Sequence, residues 1–299
     1  MPTGDRPGSP TRLVLVLLRR RCNVADPPLS GFSHPRYSVV RELGHGALTS
    51  TFEALALYSG TRSRRVALKV LGHPEHSRWY SRTCWATAAL SHPSIAACLE
   101  IADAQGSMFM ALEFVPGTSL IEEITRGTKW SDANVVRVVR DVAAALDCAH
   151  VQGVIHGYLH PRHILLTADH LPHVIGFAEY PMPPCVPIGN PIHLAPEQLL
   201  DDVRLVPQTD VFALTEIAFW MLAGTHPYAG PGLTEQLIAK STGPRQSLRQ
   251  LRPDLPATVD EVLRSGMAPK PEDRFPSAGA LSESLAAALL PEAPRENGG

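Results

Sequence analysis

Alternating apolar and polar positions dominate the chain between residues 37 and 115. The alternation runs through residues 37–54, where Gly44-His45-Gly46 interrupts it, and apolar runs follow at residues 66–70 and 108–115. Alternation with a period of two is typical of β-strands, and a short apolar run between turns is typical of a buried strand. The pattern therefore predicts an N-terminal region built mainly from strands, with a hairpin at the glycines.

A period close to 3.6 residues replaces this alternation in the second half of the chain. Residues 131–153 repeat apolar side chains at i, i+3, i+4 and i+7, with Ser131 or Asp132 as the N-cap and Gly153 as the end. Residues 209–224 are apolar nearly all round, which indicates a buried helix. The second half of the chain is therefore expected to be mainly helical.

Composition and charge argue against several classes of protein. Of the 299 residues, 44% are hydrophobic and 19% are charged, which suits a folded chain rather than a disordered one. The formal net charge is −2, so there is no electrostatic reason to expect a nucleic-acid partner. Five scattered cysteines without a Cys-x-x-Cys pair favour reduced thiols. We therefore expect a cytoplasmic protein that does not bind nucleic acid.

The first 35 residues differ from the rest in their proline and glycine content. Their apolar run at residues 13–18 is far shorter than the ~18 residues that a membrane span needs. Three arginines follow the run, whereas a secretory signal carries its positive charge first. We expect no membrane association and interpret residues 1–35 as a tail, in which the run adds a strand, contacts a partner or stays loosely ordered. Residues 277–290 are predicted to form the last helix, and residues 291–299 are predicted to form a polar tail.

One short segment carries the strongest resemblance to a known family. Residues 154–166 read VIHGYLHPRHILL, and their spacing resembles the catalytic loop of protein kinases, His-Arg-Asp-Leu-Lys-Pro-x-x-Asn. His156, Leu159 and Pro161 keep the family's residues. Other motifs of the family occur in its order and at its intervals. They are Gly44 and Gly46, residues 66–69 (VALK), His92-Pro93, residues 174–179 (VIGFAE), Ala195-Pro196-Glu197, residues 209–212 (TDVF), Pro227-Tyr228 and residues 271–275 (PEDRF).

The resemblance is to bacterial Ser/Thr protein kinase domains, and it covers residues 37–290. It implies an α+β, bilobal protein kinase-like fold over residues 36–290. The β-rich N-lobe would span residues 36–115 and the helical C-lobe residues 116–290, with a cleft between them. The resemblance also implies a buried ion pair of Glu197 with Arg274, a bond from Asp210 to the catalytic loop, and apolar stacking of His156 on Phe177.

The positions that carry the chemistry depart from the family. Phosphoryl transfer needs metal ions that neutralise charge and a carboxylate that orients the attacking hydroxyl. At the position of the base this chain has a tyrosine, whose phenol has a reference pKa of about 10 and is a poor base at pH 7. At the two metal-binding positions it has a glycine, which offers no ligand, and a histidine, which suits magnesium poorly. We therefore predict no catalytic residue and no metal ligand. The altered positions are Gly157 for the Arg of the loop, Tyr158 for the catalytic Asp, His160 for the Lys, His163 for the metal-binding Asn, Gly176 for the Asp of Asp-Phe-Gly, and Thr83 for the Glu that pairs with the strand lysine.

A nucleotide cleft can survive these changes. Lys69 matches the lysine that neutralises the ATP phosphates, although no acidic residue between Glu75 and Glu100 can pair with it from the next helix. Lys69 is therefore either a cleft residue or an ordinary strand lysine with a solvated tip. No cofactor is required on this interpretation, and ATP or ADP would bind without Mg if it binds. The candidate nucleotide residues implied by the resemblance are Gly44, Gly46, Ala67, Lys69, Glu113, Val115 and Leu165.

Several positions near the altered motifs have two interpretations. Glu179 is expected to be an exposed turn charge, with replacement of the missing metal ligand as the alternative. Tyr158 either fills the cleft or packs beside Phe177. Residues 180–191 contain five prolines and no Ser or Thr, which predicts a fixed extended loop without a phosphorylation switch. A metal site is the less favoured interpretation of four histidines, because no acid or Cys lies at ligand spacing from them. They are His156, His160, His163 and His173.

The sequence thus favours a catalytically inactive Ser/Thr kinase-like protein, a pseudokinase. It would act as a regulatory or scaffolding module that binds another protein, either an active kinase or another signalling protein. One alternative is an ATP or ADP sensor that needs no metal. The other is an atypical active kinase, or another nucleotide-dependent transferase, that uses Glu179 or another acid. Dependence of nucleotide binding on a divalent metal separates these alternatives.

Overall fold

The N-lobe is built on an antiparallel sheet, as the alternation predicts. The computed structural model of the chain describes residues 32–57, 63–104, 106–180, 190–200, 204–230, 232–243 and 246–290. The strands of the sheet run in the order β1-β2-β3-β5-β4. They are β1 (Tyr37–His45), β2 (Thr49–Leu57), β3 (Ser63–Leu71), β4 (Cys98–Ala104) and β5 (Ser107–Glu113).

The register of this sheet aligns the glycine hairpin with Lys69. Gly44 pairs with Thr51, and Thr51 pairs with Lys69 on β3. Neighbouring strands lie about 4.8 Å apart, so the backbones of Gly44 and Lys69 are about 10 Å apart in one row. The N–H of Gly46 donates to the carbonyl of Thr49 at 2.8 Å and closes the turn. The predicted hairpin at the glycines is therefore confirmed.

Helix α1 (Ser77–Ala88) packs beside the N-lobe sheet. Its buried face carries Tyr80, Thr83, Cys84 and Thr87. Their spacing of three and four residues places them on one side of the helix. Hydroxyl groups make up much of this face, so hydrogen bonds as well as apolar contacts hold α1 against the rest of the protein.

The C-lobe is helical and is organised around two long helices that supply much of its core. Its helices are α2 (Leu120–Thr125), α3 (Asp132–Val151), α4 (Pro207–Ala223), α5 (Leu233–Lys240), α6 (Leu248–Leu251), α7 (Ala257–Gly266) and α8 (Ala278–Leu289). The Ser131 hydroxyl accepts the N–H of Asn134 at 3.3 Å and caps α3. Helix α4 is buried nearly all round, and it ends at Gly224, which has a left-handed φ of 70°. The predicted helical second half is therefore confirmed.

A small sheet ties the two lobes together. Its strands are β6 (Thr118–Ser119), β7 (Ile164–Leu166) and β8 (Pro172–Val174). Val174 donates its N–H to the carbonyl of Ser94 at 2.8 Å, and it accepts the N–H of Ala96 at 3.2 Å. Residues 154–163, which lie between α3 and β7, are therefore next to the junction between the lobes.

Several sequence predictions fall outside the described residues. They concern the apolar run at residues 13–18, residues 181–189 of the proline-rich loop, and residues 291–299. Among the residues that the structure describes, no helix combines the length and the apolar character needed to cross a membrane.

Candidate functional site

The backbone of residues 156 and 157 is fixed by one buried carboxylate. Asp210 accepts the N–H groups of His156 and Gly157 at 2.9 and 2.8 Å. Its Oδ2 also lies 2.7 Å from Nε2 of His150 on α3. The predicted bond from Asp210 to the loop is therefore confirmed, and the start of α4 is tied to the loop.

His156 belongs to the core, as its place in the loop predicts. The residue is fully buried, and its ring centroid lies 4.9 Å from that of Phe177. Its Nε2 donates to the carbonyl of Ile175 at 3.0 Å, and burial lowers its pKa. His156 thus stays neutral and packs against the segment that contains Phe177.

The position of the missing arginine has no room for a side chain. Gly157 has a left-handed φ of 73°. A Cβ at this position would lie 2.9 Å from Cδ1 of Leu205 and 3.2 Å from Cβ of Tyr180. Apolar side chains therefore occupy the space beside Gly157.

Tyr158, at the position of the catalytic Asp, points toward the segment at Asn190. Its hydroxyl donates to the carbonyl of Asn190 at 3.3 Å, and its ring meets that of His160 edge-on at 5.1 Å. It also packs against the apolar cluster of Tyr180 and Leu194. Burial raises the pKa of Tyr158 to about 12. The predicted packing beside Phe177 is replaced by packing against the segments at residues 180 and 190–194.

His163, at the position of the metal-binding Asn, is part of a stack of imidazoles. Its Nδ1 donates to the carbonyl of Tyr158 at 2.9 Å. Its ring centroid lies 5.4 Å from that of His156 and 4.2 Å from that of His160, which stacks in turn on His193 at 5.1 Å. We call His156, His163, His160 and His193 the histidine stack. Burial lowers the pKa of His163 well below its usual value.

The histidine stack is not arranged as a metal centre. Within the described ranges, no three His, Cys, Asp or Glu side chains lie where they could together hold a metal ion. Ring nitrogens of the stack instead bond backbone groups, as when Nδ1 of His160 accepts the N–H of Arg162 at 3.1 Å and Nε2 of His156 donates to the carbonyl of Ile175. The rings pack against one another as neutral aromatic groups.

Glu179 is not the exposed turn charge that the sequence predicts. Its carboxylate pairs with the ammonium group of Lys69, and the two side chains are only 13% and 15% exposed. A Cβ at Gly176 would lie 3.4 Å from Oε1 of Glu179 and 3.3 Å from the His163 ring. The physical reason is a backbone reversal, since Gly176 and Ala178 both have left-handed φ values, of 83° and 58°. The Glu179 carboxylate therefore lies next to the position from which the family's Asp side chain would extend.

Hydrogen bonds connect α1 to β3 and to the segment around Phe177. Thr83, at the position of the missing Glu, donates its hydroxyl to the carbonyl of Ala178 at 3.0 Å. Thr87 donates to the carbonyl of Phe177 at 3.3 Å. Tyr80, which is buried, donates to the backbone carbonyl of Lys69 at 2.6 Å. Neutral hydrogen bonds thus connect the elements that an ion pair connects in the family.

The candidate nucleotide residues lie on both lobes. Gly44, Gly46, Ala67 and Lys69 belong to the hairpin and to β3, and Ala67 pairs with Leu112 on β5. Three more complete the set: Glu113 ends β5, Val115 follows it and is buried, and Leu165 is half-buried on β7 of the small sheet. The cation of this group, Lys69, already has a carboxylate partner.

The predicted structural ion pair is present in the C-lobe. Two guanidinium nitrogens of Arg274 donate to the two carboxylate oxygens of Glu197 at 2.9 and 2.8 Å. Thr209 also donates its hydroxyl to Glu197, at 2.9 Å. The Arg274 side chain is fully buried. This bidentate pair holds the segment before α4 against the segment before α8.

A second buried ion pair was missed by the sequence analysis. Glu216 on α4 pairs with Lys240 on α5, and both side chains are almost completely buried. The Lys240 ammonium lies 4.7 Å from the ring centroid of Phe212 and 4.8 Å from that of Tyr228. Burial raises the pKa of Glu216 and lowers that of Lys240. The available signal was a glutamate within a helix that has no polar face.

Comparison with known families agrees with this geometry. The profile described as the protein kinase domain matches residues 37–285. The chain therefore belongs to the protein kinase family, and the predicted bilobal kinase-like fold is confirmed.

Several bacterial serine/threonine-protein kinases are similar to most of this chain. PknD of Mycobacterium tuberculosis is 29% identical over 269 residues, which cover 85% of this chain and 40% of PknD. PknH of Mycobacterium bovis is 27% identical over 265 residues, covering 85% of this chain and 44% of PknH. Pkn1 of Myxococcus xanthus is 29% identical over 282 residues, covering 89% of this chain and 40% of Pkn1. The chain thus spans less than half the length of these relatives.

Proposed function

We propose that this protein is a pseudokinase that transfers no phosphoryl group and acts as a regulatory or scaffolding module. The observation that carries the proposal is the environment of three replaced positions. The Tyr158 hydroxyl and the His163 Nδ1 donate to backbone carbonyls, and Gly176 has no side chain. None of the three offers a carboxylate as a base or a metal ligand.

The chemistry of phosphoryl transfer explains why these replacements matter. The loss of a general base costs roughly 10²–10⁴ in rate. Burial raises the pKa of Tyr158 to about 12, so its phenol stays protonated at pH 7 and does not take up the proton of the attacking hydroxyl. Magnesium prefers oxygen ligands, and His163 offers nitrogen. The effects on the base and on the metal act on the same step.

The charges that support the fold are retained, and this favours a binding role. Asp210 fixes the loop at residues 156 and 157, and Glu197 holds Arg274 through two hydrogen bonds. A rigid fold without the reacting groups suits a module that presents surfaces to another protein. The relatives carry the name of serine/threonine-protein kinases, so an active kinase or another signalling protein in the cytoplasm is the partner we favour.

The position of Glu179 favours a second candidate function. Its carboxylate lies beside Gly176 and contacts Lys69. If it leaves Lys69 for a divalent metal, the protein would be an atypical phosphotransferase. If phosphate displaces it from Lys69 without metal, the protein would be an ATP or ADP sensor.

Thermal unfolding of the full chain with ATP or ADP, with and without Mg or Mn, separates these functions. A ligand at 100 times its Kd stabilises the folded state by about 2.7 kcal/mol, which is a measurable shift. For the binding module we expect no shift under any condition. A shift without metal that disappears in Lys69→Ala would establish the sensor in its place.

A phosphoryl-transfer assay with radiolabelled ATP and a mixture of proteins as acceptors completes the test. We expect no labelling with Mg or Mn. Labelling that depends on metal and is lost in Glu179→Gln would overturn the proposal in favour of the phosphotransferase. Unchanged labelling in Glu179→Gln would instead indicate another acid or a contaminating kinase, and labelling that also persists in Lys69→Ala would identify the contaminant.

A further inference from the structure

The outer face of α1 exposes an aromatic side chain next to two cationic ones. Trp85 is 66% exposed, and Arg78 and Arg82 are also exposed. Spacings of three and seven residues place the three side chains along one stripe of the helix. We call Arg78, Arg82 and Trp85 the α1 face.

The fold does not need the α1 face. The opposite side of α1 holds the helix in place, since Tyr80 donates to Lys69, Thr83 to Ala178 and Thr87 to Phe177. An indole exposed to this extent contributes little to the core. Tryptophan and arginine are, however, enriched in protein–protein interfaces and at their energetic centres.

The charge of the α1 face is not balanced within the described part of the chain. No acidic residue occurs between Glu75 and Glu100 in the sequence. Among the described residues, the ion pairs include neither Arg78 nor Arg82. A partner that carries carboxylates would therefore find two guanidinium groups available beside an aromatic ring.

A groove adjoins the α1 face where α1 meets the C-lobe. Its volume is about 240 Å³, and its lining includes Arg82, Ala86, Val154, Ala178 and Leu205. Pockets for whole small-molecule ligands usually measure about 300–1,000 Å³. The groove is therefore better suited to an apolar side chain of a bound segment, with Arg82 at its edge.

We propose that the α1 face and this groove bind an acidic segment of another protein, which places an apolar side chain in the groove. The proposal rests on the proposed function as a binding module and specifies the chemistry of its partner. The net charge of −2 makes nucleic acid a poor match for the whole molecule. The chain's own apolar run at residues 13–18 is also a poor match, because three arginines follow it.

Such a segment would touch both lobes at once. The groove combines α1 of the N-lobe with Val154, which follows α3 of the C-lobe, and with Ala178. Binding would therefore also reach the backbone next to Glu179. We expect the bound segment to slow amide exchange at residues 177–180 as well as on α1.

The test uses synthetic peptides labelled with fluorescein, measured by anisotropy against the full chain. The probe peptide carries Leu and Phe flanked by four acidic residues. One control replaces the acids with lysine, and the other replaces Leu and Phe with glycine. We expect the probe to bind at least about tenfold more tightly than either control, and more weakly at 300 mM than at 50 mM salt.

Variants locate the binding on the protein. Arg82→Glu and Trp85→Ala should each weaken probe binding by about tenfold. Arg140→Glu on α3, whose side chain is also exposed, should leave binding unchanged. Equal melting temperatures would show that all three variants are folded.

Four results would overturn the proposal. They are equal binding of the lysine peptide, no effect of Arg82→Glu and Trp85→Ala, tighter binding of a 12-nucleotide RNA than of the probe, and a homodimer that buries Trp85. The transfer assay is independent of this test. Metal-dependent labelling would overturn the pseudokinase alone, whereas failure of the probe would overturn the α1 face alone.

Discussion

The carboxylate of Glu179 pairs with the ammonium group of Lys69, 110 residues earlier in the chain. This contact joins β3 of the N-lobe to the segment that follows Phe177. Lys69 occupies the position of the lysine that contacts the ATP phosphates in active protein kinases. Any nucleotide that enters the cleft would therefore compete with an internal carboxylate for this cation.

The energy of this pair can be measured with a double-mutant cycle. Lys69→Met leaves a mostly buried carboxylate without its partner, and Glu179→Gln does the reverse to the ammonium group. We expect each variant to lower the free energy of unfolding by about 1–3 kcal/mol, measured in urea. The double variant should lose less than the sum of the two. Strictly additive losses would contradict a direct contact.

Gly157 should not tolerate a side chain. Its left-handed backbone costs about 1–2 kcal/mol for other residues, and a Cβ would crowd Leu205 at 2.9 Å. We expect Gly157→Ala to lower the free energy of unfolding by about 2–4 kcal/mol, the backbone cost plus about 1–2 kcal/mol for overpacking. Gly153→Ala is the matched control, since Gly153 has a φ of 72° and open space around it. If Gly157→Ala and Gly153→Ala lowered the free energy of unfolding in urea equally, the crowding at residue 157 would be relieved and the prediction would be wrong.

The bond from Thr83 to Ala178 should stabilise the position of α1. Thr83→Val keeps the shape of the side chain but removes the donor to the partly buried carbonyl of Ala178. We expect a loss of about 1–3 kcal/mol and faster amide exchange on α1. Thr83→Ser keeps the hydroxyl and should retain slow exchange. Fast exchange in both variants would attribute the effect to packing.

The buried histidines predict a loss of stability in mild acid. Burial lowers the pKa of His160, His193 and His226 to about 3 each. The unfolded chain binds protons on them below about pH 6.5. The contribution of these histidines to the free energy of unfolding is therefore fully present above that pH. It is lost as the pH falls toward 3, by up to about 1.4 kcal/mol per pH unit for each group. Glu216, whose pKa burial raises to about 7, acts in the opposite direction between pH 4.5 and 7, but it is one group against three.

Urea unfolding at pH 7.5, 6.5 and 5.5 measures this dependence. His193→Gln should flatten it, because one of the buried histidines is removed. The control is His45→Gln, whose side chain is 65% exposed and should leave the dependence as it is. A stability that does not change between pH 7.5 and 5.5 would contradict the neutral histidine stack.

The contacts that support the fold were predictable because each joins residues that the kinase motifs already pair. Asp210 at the start of an apolar helix, and Glu197 with Arg274, formed the contacts that their motifs implied. The two long helices followed from their apolar patterns, a period near 3.6 residues for α3 and an apolar surface nearly all round for α4. Burial leaves few alternatives at such positions, so local pattern and global fold agree.

The site departed from prediction where the backbone takes an unusual course. Glu179 was expected at the surface, since nothing in its neighbours signals the left-handed φ of Ala178 that accompanies the turn toward Lys69. Lys240 lies 24 residues after Glu216, and only the tertiary fold brings the last residue of α5 next to α4. The contact between His160 and His193 likewise requires two distant loops to meet.

The neutral bonds that hold α1 have a consequence for how such a protein would be controlled. In an ordinary kinase, a helix held by an ion pair can be released or engaged as charge in the cleft changes. The hydroxyl groups of Tyr80, Thr83 and Thr87 bond backbone carbonyls, and these do not respond to a nucleotide or a metal. The surface that α1 presents would then be displayed constantly, and its influence would be set by the number of copies in the cell relative to its partner.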